Sequence, residues 1–225
     1  LRTIRRAFGG TINDIVVSVC GDAVGRLLRW RGYETKDLDL RVMVPVRVHG
    51  EGEVPGSVQE LGQGMGQTQS VGGGVVGVMA PLPVMQMDPV ARLYRIMGEM
   101  AGLKESRQAV AADSLMRLAG YAPPNLHALA ARLASGQARY NLALSNAPGP
   151  QEPRYLHGVP MEGSFPFIPL AGDCALSIAL TSYAGRMYVG LVGDWDGMPD
   201  LDTLSEFLAE AVAELLDAAQ EQAAR

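Results

Sequence analysis

Two short polar pairs and one arginine are the side chains best placed for chemistry. In "NLALSNAPGP", residues 141–150, Leu142 and Leu144 alternate with smaller or polar residues, which is strand spacing. The apolar run, taken as a strand over 140–145, reaches Ser145-Asn146 and is then broken by Pro148-Gly149-Pro150. A hydroxyl and a carboxamide held by so stiff a turn could donate hydrogen bonds to a carbonyl or a developing oxyanion. Asn13-Asp14 falls in the first turn of a helical stretch, where free N–H groups face whatever docks at the helix end. Arg47 lies near the end of a β-rich run. Taken singly, each has an ordinary alternative: a turn, a helix cap, a solvated charge at a strand end.

Nothing completes a catalytic set. The three histidines, His49, His127 and His157, are scattered, and His157 has no acid or base partner nearby in sequence. There is no GxSxG elbow, and "GGTIND" lacks phosphate-loop spacing. The chain has no CxxC and no HExxH, so a metal site is not expected. Cys20 and Cys174 each sit among apolar neighbours and read as buried free thiols.

Bulk properties narrow the field further. With 225 residues, 48% hydrophobic and 19% charged, the chain can bury a sizeable core. A net charge of −5 argues against nucleic acid as a partner, since a phosphate backbone calls for a basic face. No apolar run approaches the roughly 18–20 residues of a membrane span, and no signal-peptide pattern occurs, so a cytoplasmic location is expected. The chain opens at Leu1 without an initiator Met, as a fragment of something longer would.

The elements that must position these residues follow from periodicity. Ile12, Ile15, Val16, Val19, Ala23 and Leu27 predict a helix over 11–32, with Thr11 as its cap and Gly32 at its end. "LRVMVPVRV", residues 40–48, predicts a strand, with Pro45 indicating an edge or a bulge. Residues 50–74, rich in Gly and Gln, read as a long mobile loop, and 75–84 as a second strand. A helix begins at Pro89 behind Asp88, and two more are expected over roughly 108–119 and 123–135. An irregular segment to about 172 precedes a hairpin over 174–194 joined at Ala184-Gly185, and an amphipathic helix closes the chain. This order predicts an α/β (α+β) layered sandwich, a mixed sheet covered by helices.

Together, "GGTINDIVVSVCGDAVGRLLRWRG", "LRVMVPVRVHG", "VVGVMAPLPV…DPVARLYRIMGEMAGLKES", "NLALSNAPGPQEPRYLHG" and "LSIALTSYAGRMYVGLVGD" resemble the carboxyl-terminal half of bacterial wax ester synthase/acyl-CoA:diacylglycerol acyltransferases. The resemblance runs over roughly residues 5–220. It implies one half of a chloramphenicol acetyltransferase-like fold, two αβ lobes enclosing a tunnel, with residues 1–225 forming the carboxyl-terminal acyltransferase subdomain. It further implies transfer of a fatty acyl group from acyl-CoA, a substrate rather than a cofactor, to diacylglycerol or a long-chain alcohol. The family's catalytic motif, HHxxxDG, belongs to the amino-terminal half and is absent here, so that half is the expected partner and supplies the base.

By the same resemblance Asn13 and Asp14 match an "ND" pair beside the tunnel. Ser145, Asn146, Pro148 and Gly149 match "SNVPGP", with Ala147 in place of Val; Pro148 and Gly149 are expected against substrate. Arg47 matches the arginine of a "PVxxR" strand motif, expected to pair with the Asp of HHxxxDG. Lipid substrates imply peripheral contact with a membrane or lipid droplet. A non-catalytic lipid-binding or scaffold domain of the same fold, or a condensation-type acyltransferase with another acceptor, are the alternatives.

Overall fold

A computed structural model describes residues 1–48, 74–105, 140–170 and 174–224. Ser/Thr capping, alternation and turn chemistry account for most of its elements. Helices α1 (Arg2–Phe8) and α2 (Ile12–Trp30) are followed by strands β1 (Leu40–Val48) and β2 (Gly74–Leu82) and helix α3 (Pro89–Glu105). Strand β3 (Leu142–Ala147), a small hairpin of β4 (Tyr155–Leu156) and β5 (Val159–Pro160), strands β6 (Leu176–Tyr183) and β7 (Arg186–Gly193), and helix α4 (Leu201–Ala223) complete the chain. The expected helices over 108–119 and 123–135 and the loop over 50–73 lie outside the described residues.

The five-stranded sheet runs in the order β2-β1-β3-β6-β7. Strands β1, β3 and β6 are parallel to one another, while β2 and β7 flank them antiparallel, so the sheet is mixed as expected. Alternation gives it two faces. On one, Val42, Val44, Leu142, Leu144, Leu176, Ile178 and Leu180 pack against Val16, Cys20, Ala23 and Leu27 of α2. A second layer forms where α1, α3 and α4 pack on the far side of α2, through Ile4, Phe8, Ile15, Leu93, Ala211 and Leu215. On the other face Ser177 donates to the carbonyl of Ile168 at 2.6 Å, Tyr183 to Met161 at 2.9 Å and Tyr188 to Glu162 at 3.0 Å. The segment after β5 is thus strapped across β6 and β7.

The structure refines three readings. Pro45 lies in an interior strand of the sheet, but at a stretch that is open on its β3 side, so the expected edge position holds locally. It is accommodated because β3 pairs with β1 only at Val42 and Met43, leaving the stretch around Pro45 with β2 as its one neighbour. The strand begun near 140 runs over 142–147, so Ser145 and Asn146 are strand residues and the break falls at Pro148. Finally, α1 and the β4–β5 hairpin were not foreseen: seven residues carry too little apolar periodicity, and two-residue strands carry none.

Charge holds the helical layer together. Asp22 and Arg92, both 4% exposed at the side chain, form an ion pair at 2.9 Å between α2 and α3. Asp22 also takes Arg26 at 2.9 Å, and Arg26 reaches Glu210 and Glu214 on α4. Burial pulls the Arg92 guanidinium below its ordinary pKa, Asp22 pulls it back up, and neighbouring Arg26 and Arg29 add repulsion. At the opposite end Arg31 grips Asp200, and that contact holds the Asp200 carboxyl below its usual range. Asp200 therefore heads α4 without capping it by its side chain.

Removing one member of a buried pair leaves the other charge uncompensated, which costs about 3–5 kcal/mol. Asp22→Asn should lower the unfolding free energy by that order in urea titration, with α2, α3 and α4 losing amide-exchange protection together. A loss under about 1 kcal/mol would show that Arg92 finds another partner.

Candidate functional site

Helix α2 starts where the chain turns out of α1 through Gly9 and Gly10, both at positive φ. Thr11 and Asp14 form a capping box: Asp14 N–H donates to Thr11 Oγ1 at 3.2 Å, and Thr11 N–H to Asp14 Oδ2 at 2.7 Å. Asp14 is 4% exposed, and its Oδ1 is enclosed without a hydrogen-bond partner among the described residues. The capping reading of Asp14 accounts for one oxygen only.

Asn13, next to it, is half-buried and faces the sheet. Its Oδ1 accepts from Nδ2 of Asn146 at 2.8 Å across 133 residues of sequence. Two of the residues singled out in sequence thus meet. Strand alternation explains how: Asn146 follows Leu142 and Leu144 onto the helix face. Ser145 must then point the other way, beside Ala179 in the register and toward the strapped face. Ser145 and Asn146, adjacent in sequence, serve opposite faces and do not form one donor pair.

Whichever way the two carboxamides are turned, their mutual bond uses one N–H and one C=O. It leaves an NH2 group on one residue and a carbonyl on the other with no further partner among the described residues. Both residues are half-buried.

The turn after β3 is pinned from several sides. Thr181 Oγ1 donates to the carbonyl of Ala147 at 2.9 Å, and Gly149 N–H donates to Ser182 Oγ at 3.2 Å. Gln151 Nε2 reaches both Gly149 O and Ser182 Oγ at 2.9 Å, and Ala184 N–H bonds Pro150 O at 3.1 Å. A Cβ on Gly149 would run into the carbonyl of Ser182. The Pro148-Gly149-Pro150 turn is locked onto the end of β6 and fixes the last residues of β3. Gln151 and Ser182 were not recognised from sequence, because nothing local marks two residues that meet across 31 positions to brace the turn.

Arg47 lies in β1 opposite Val75, one residue before the strand end; its side chain is outside the described residues. His157 sits exposed at the tip of the β4–β5 hairpin at φ 49°, far in role from any base. Cys20 is buried in the wall of α2, and burial pushes its thiol up to about 12, so it is neutral and not nucleophilic near neutral pH. Among the described residues no helix is long and apolar enough to cross a membrane.

Comparison with known proteins places the chain in a family. The sequence profile of the WS/DGAT C-terminal domain matches residues 71–216. A protein of Mycobacterium tuberculosis H37Rv, provisionally named a diacylglycerol O-acyltransferase, is 30% identical over 227 residues, spanning 99% of this chain and 42% of its own length. The O-acyltransferase WSD of Acinetobacter baylyi is 26% identical over 94% of this chain and 43% of its own. The solved wax ester synthase/diacylglycerol acyltransferase of Marinobacter aquaeolei VT8 superposes with a TM-score of 0.65 at 25% identity, over 97% of this chain and 46% of that one. The chain spans less than half the length of these relatives.

If the two amides share one bond, Asn13→Ala and Asn146→Ala should each cost about 0.5–1.5 kcal/mol in stability. The double variant should cost little more than either single one. Additive losses in a denaturant-titration cycle would mean that the bond is not formed in solution.

Proposed function

Because the chain belongs to the family of WS/DGAT C-terminal domains, we propose that it forms one wall of the substrate tunnel of an O-acyltransferase. The enzyme moves a fatty acyl group from acyl-CoA to diacylglycerol or a long-chain alcohol, giving triacylglycerol or wax ester, and uses no cofactor. The observation that supports this most is the Asn13–Asn146 pair. It offers a fixed, unspent amide N–H at the junction of a helix N-terminus and a strand end, where negative charge is favoured.

In this reading the acceptor hydroxyl loses its proton to a histidine of the HHxxxDG motif in the amino-terminal half. The alkoxide oxygen adds to the thioester carbonyl, and the oxyanion that develops takes a hydrogen bond from the amide pair. Collapse of the tetrahedral intermediate re-forms the carbonyl and expels the CoA thiolate, which takes up the proton. The amide donor is useful because it is aimed in advance: its partner fixes it, and it needs no rearrangement as charge appears. Arg47 is assigned to the Asp of HHxxxDG as a structural ion pair between the halves. Pro148 and Gly149 keep β3 and its Asn146 in place beside the substrate, and Ser145 serves the opposite wall. The two halves act at the cytoplasmic side, in peripheral contact with a membrane or lipid droplet that holds the acceptor.

In the full-length protein, Asn146→Ala should lower kcat for palmitoyl-CoA with hexadecanol or diacylglycerol about 10²-fold, with KM for the thioester changed little. A variant that folds normally and keeps more than half of kcat would overturn the role.

A further inference from the structure

After the turn at Pro148-Gly149-Pro150 the chain leaves the sheet as the β4–β5 hairpin and returns across β6 and β7 to Ile168. Its course is fixed at three points. The Tyr183 hydroxyl accepts from the Arg154 N–H at 2.8 Å and donates to the Met161 carbonyl at 2.9 Å, gripping the base of the hairpin. Tyr188 and Ser177 hold the carbonyls of Glu162 and Ile168. Between them the backbone lies close on the sheet, because Gly190 has no Cβ to strike the carbonyl of Pro166.

The side chains that this ribbon presents are ill suited to water. Tyr155, Leu156, Val159, Phe165 and Phe167 are each 66–75% exposed. In the hairpin Leu156 pairs with Val159 and Tyr155 with Pro160, so both of its faces are apolar. Among the described residues no third strand joins it, and an isolated two-stranded hairpin is marginal at best in water. The three aromatic side chains at these exposures leave roughly 300–500 Å² uncovered, which already matches the largest apolar patch of an ordinary monomer.

We propose that this arm, residues 154–168, docks on the amino-terminal part of the polypeptide, the portion of the relatives that this chain does not match. The proposal rests on the two-part acyltransferase reading for the identity of the partner, and on the arm itself for the contact. The match covers 42–46% of the relatives, so each carries the larger share in the same polypeptide. A tether of that kind holds its partner at an effective concentration of about millimolar, ahead of any second copy. A bilayer suits the arm less. The outer edges of the hairpin carry N–H and C=O groups that hydrocarbon cannot satisfy. Glu152 and Glu162 beside it outnumber Arg154, and an anionic lipid surface repels them. A protein surface can pair an open strand edge and receive alternate side chains in pockets.

The test is photocross-linking of the full-length protein with p-benzoylphenylalanine in place of Leu156 or, separately, of Phe167. Mass spectrometry should find both probes joined to peptides of the amino-terminal part. Attachment of either probe to residues 49–73 or 106–139, to phospholipid, or to nothing overturns the proposal. Irradiating a mixture of isotope-labelled and unlabelled protein reveals a second copy, and a mixed-isotope product overturns it too. Amide exchange gives an independent reading through the Met161 N–H, which bonds the Arg154 carbonyl at 2.8 Å. It should exchange about tenfold faster in a Leu156→Asp, Phe167→Asp double variant than in the parent, with exchange in α2 unchanged. No acceleration in the folded variant overturns the docking. Cross-links elsewhere in a protein that still transfers palmitate remove the docking and leave the acyltransferase reading standing. The expected cross-links in a protein that transfers none do the reverse.

Discussion

Helix α2 can lie where it does because two of its residues have no side chain. A Cβ on Gly21 would come within 2.9 Å of the carbonyl of Pro83, and one on Gly25 would collide with the carbonyl of Val84. The backbone leaving β2 therefore passes directly against the helix, and Arg29 fastens it there by donating to the Val84 carbonyl at 2.8 Å. With side chains at 21 and 25 the helix would have to lift away from the sheet. Everything that depends on its height would move as well: the packing of Val16 and Cys20 on β6, the ion pairs to α3 and α4, and the reach of Asn13 to Asn146. A shift of about 1 Å is enough to break a hydrogen bond of 2.8 Å.

The amide pair can be read as chemistry because its two members are held by different elements, each braced independently. Asn13 is set by the capping box one residue away, and Asn146 by a strand whose following turn is bolted to β6. Neither depends on the other for its position, so their mutual bond leaves the remaining amide groups aimed rather than mobile. Of the histidines, His157 is at an exposed hairpin tip, and His49 and His127 lie outside the described residues.

Much of the fold was legible because its signals are local. Thr11 with Asp14, Asp88 before Pro89, and Ala184-Gly185 at positive φ between two alternating runs each mark a boundary within a few residues. Asp88 Oδ1 indeed accepts from the Ala91 N–H at 2.8 Å. What failed was information that is not local. The end of β3 was placed too early because Ser and Asn are turn formers in most settings, whereas here the ladder to β6 runs on through Ala147 opposite Thr181. Pro45 resembled an edge residue, and its tolerance depends on β1 and β3 parting after Met43, which no residue in β1 announces.

The site divided along the same line. Which residues mattered could be suggested from type and resemblance, but that Asn146 joins Asn13 while Ser145 turns away follows from face alternation once the strand boundary is known.

The central claim is that the amide pair receives the carbonyl of the acyl substrate. A crystal structure of the full-length protein with a non-hydrolysable palmitoyl-CoA analogue tests it most directly. The account predicts the analogue's carbonyl oxygen within hydrogen-bond distance of the Asn13 or Asn146 amide, on the helix face of the sheet. A carbonyl bound instead on the opposite face, against Ser145 and the strap across β6 and β7, would contradict it.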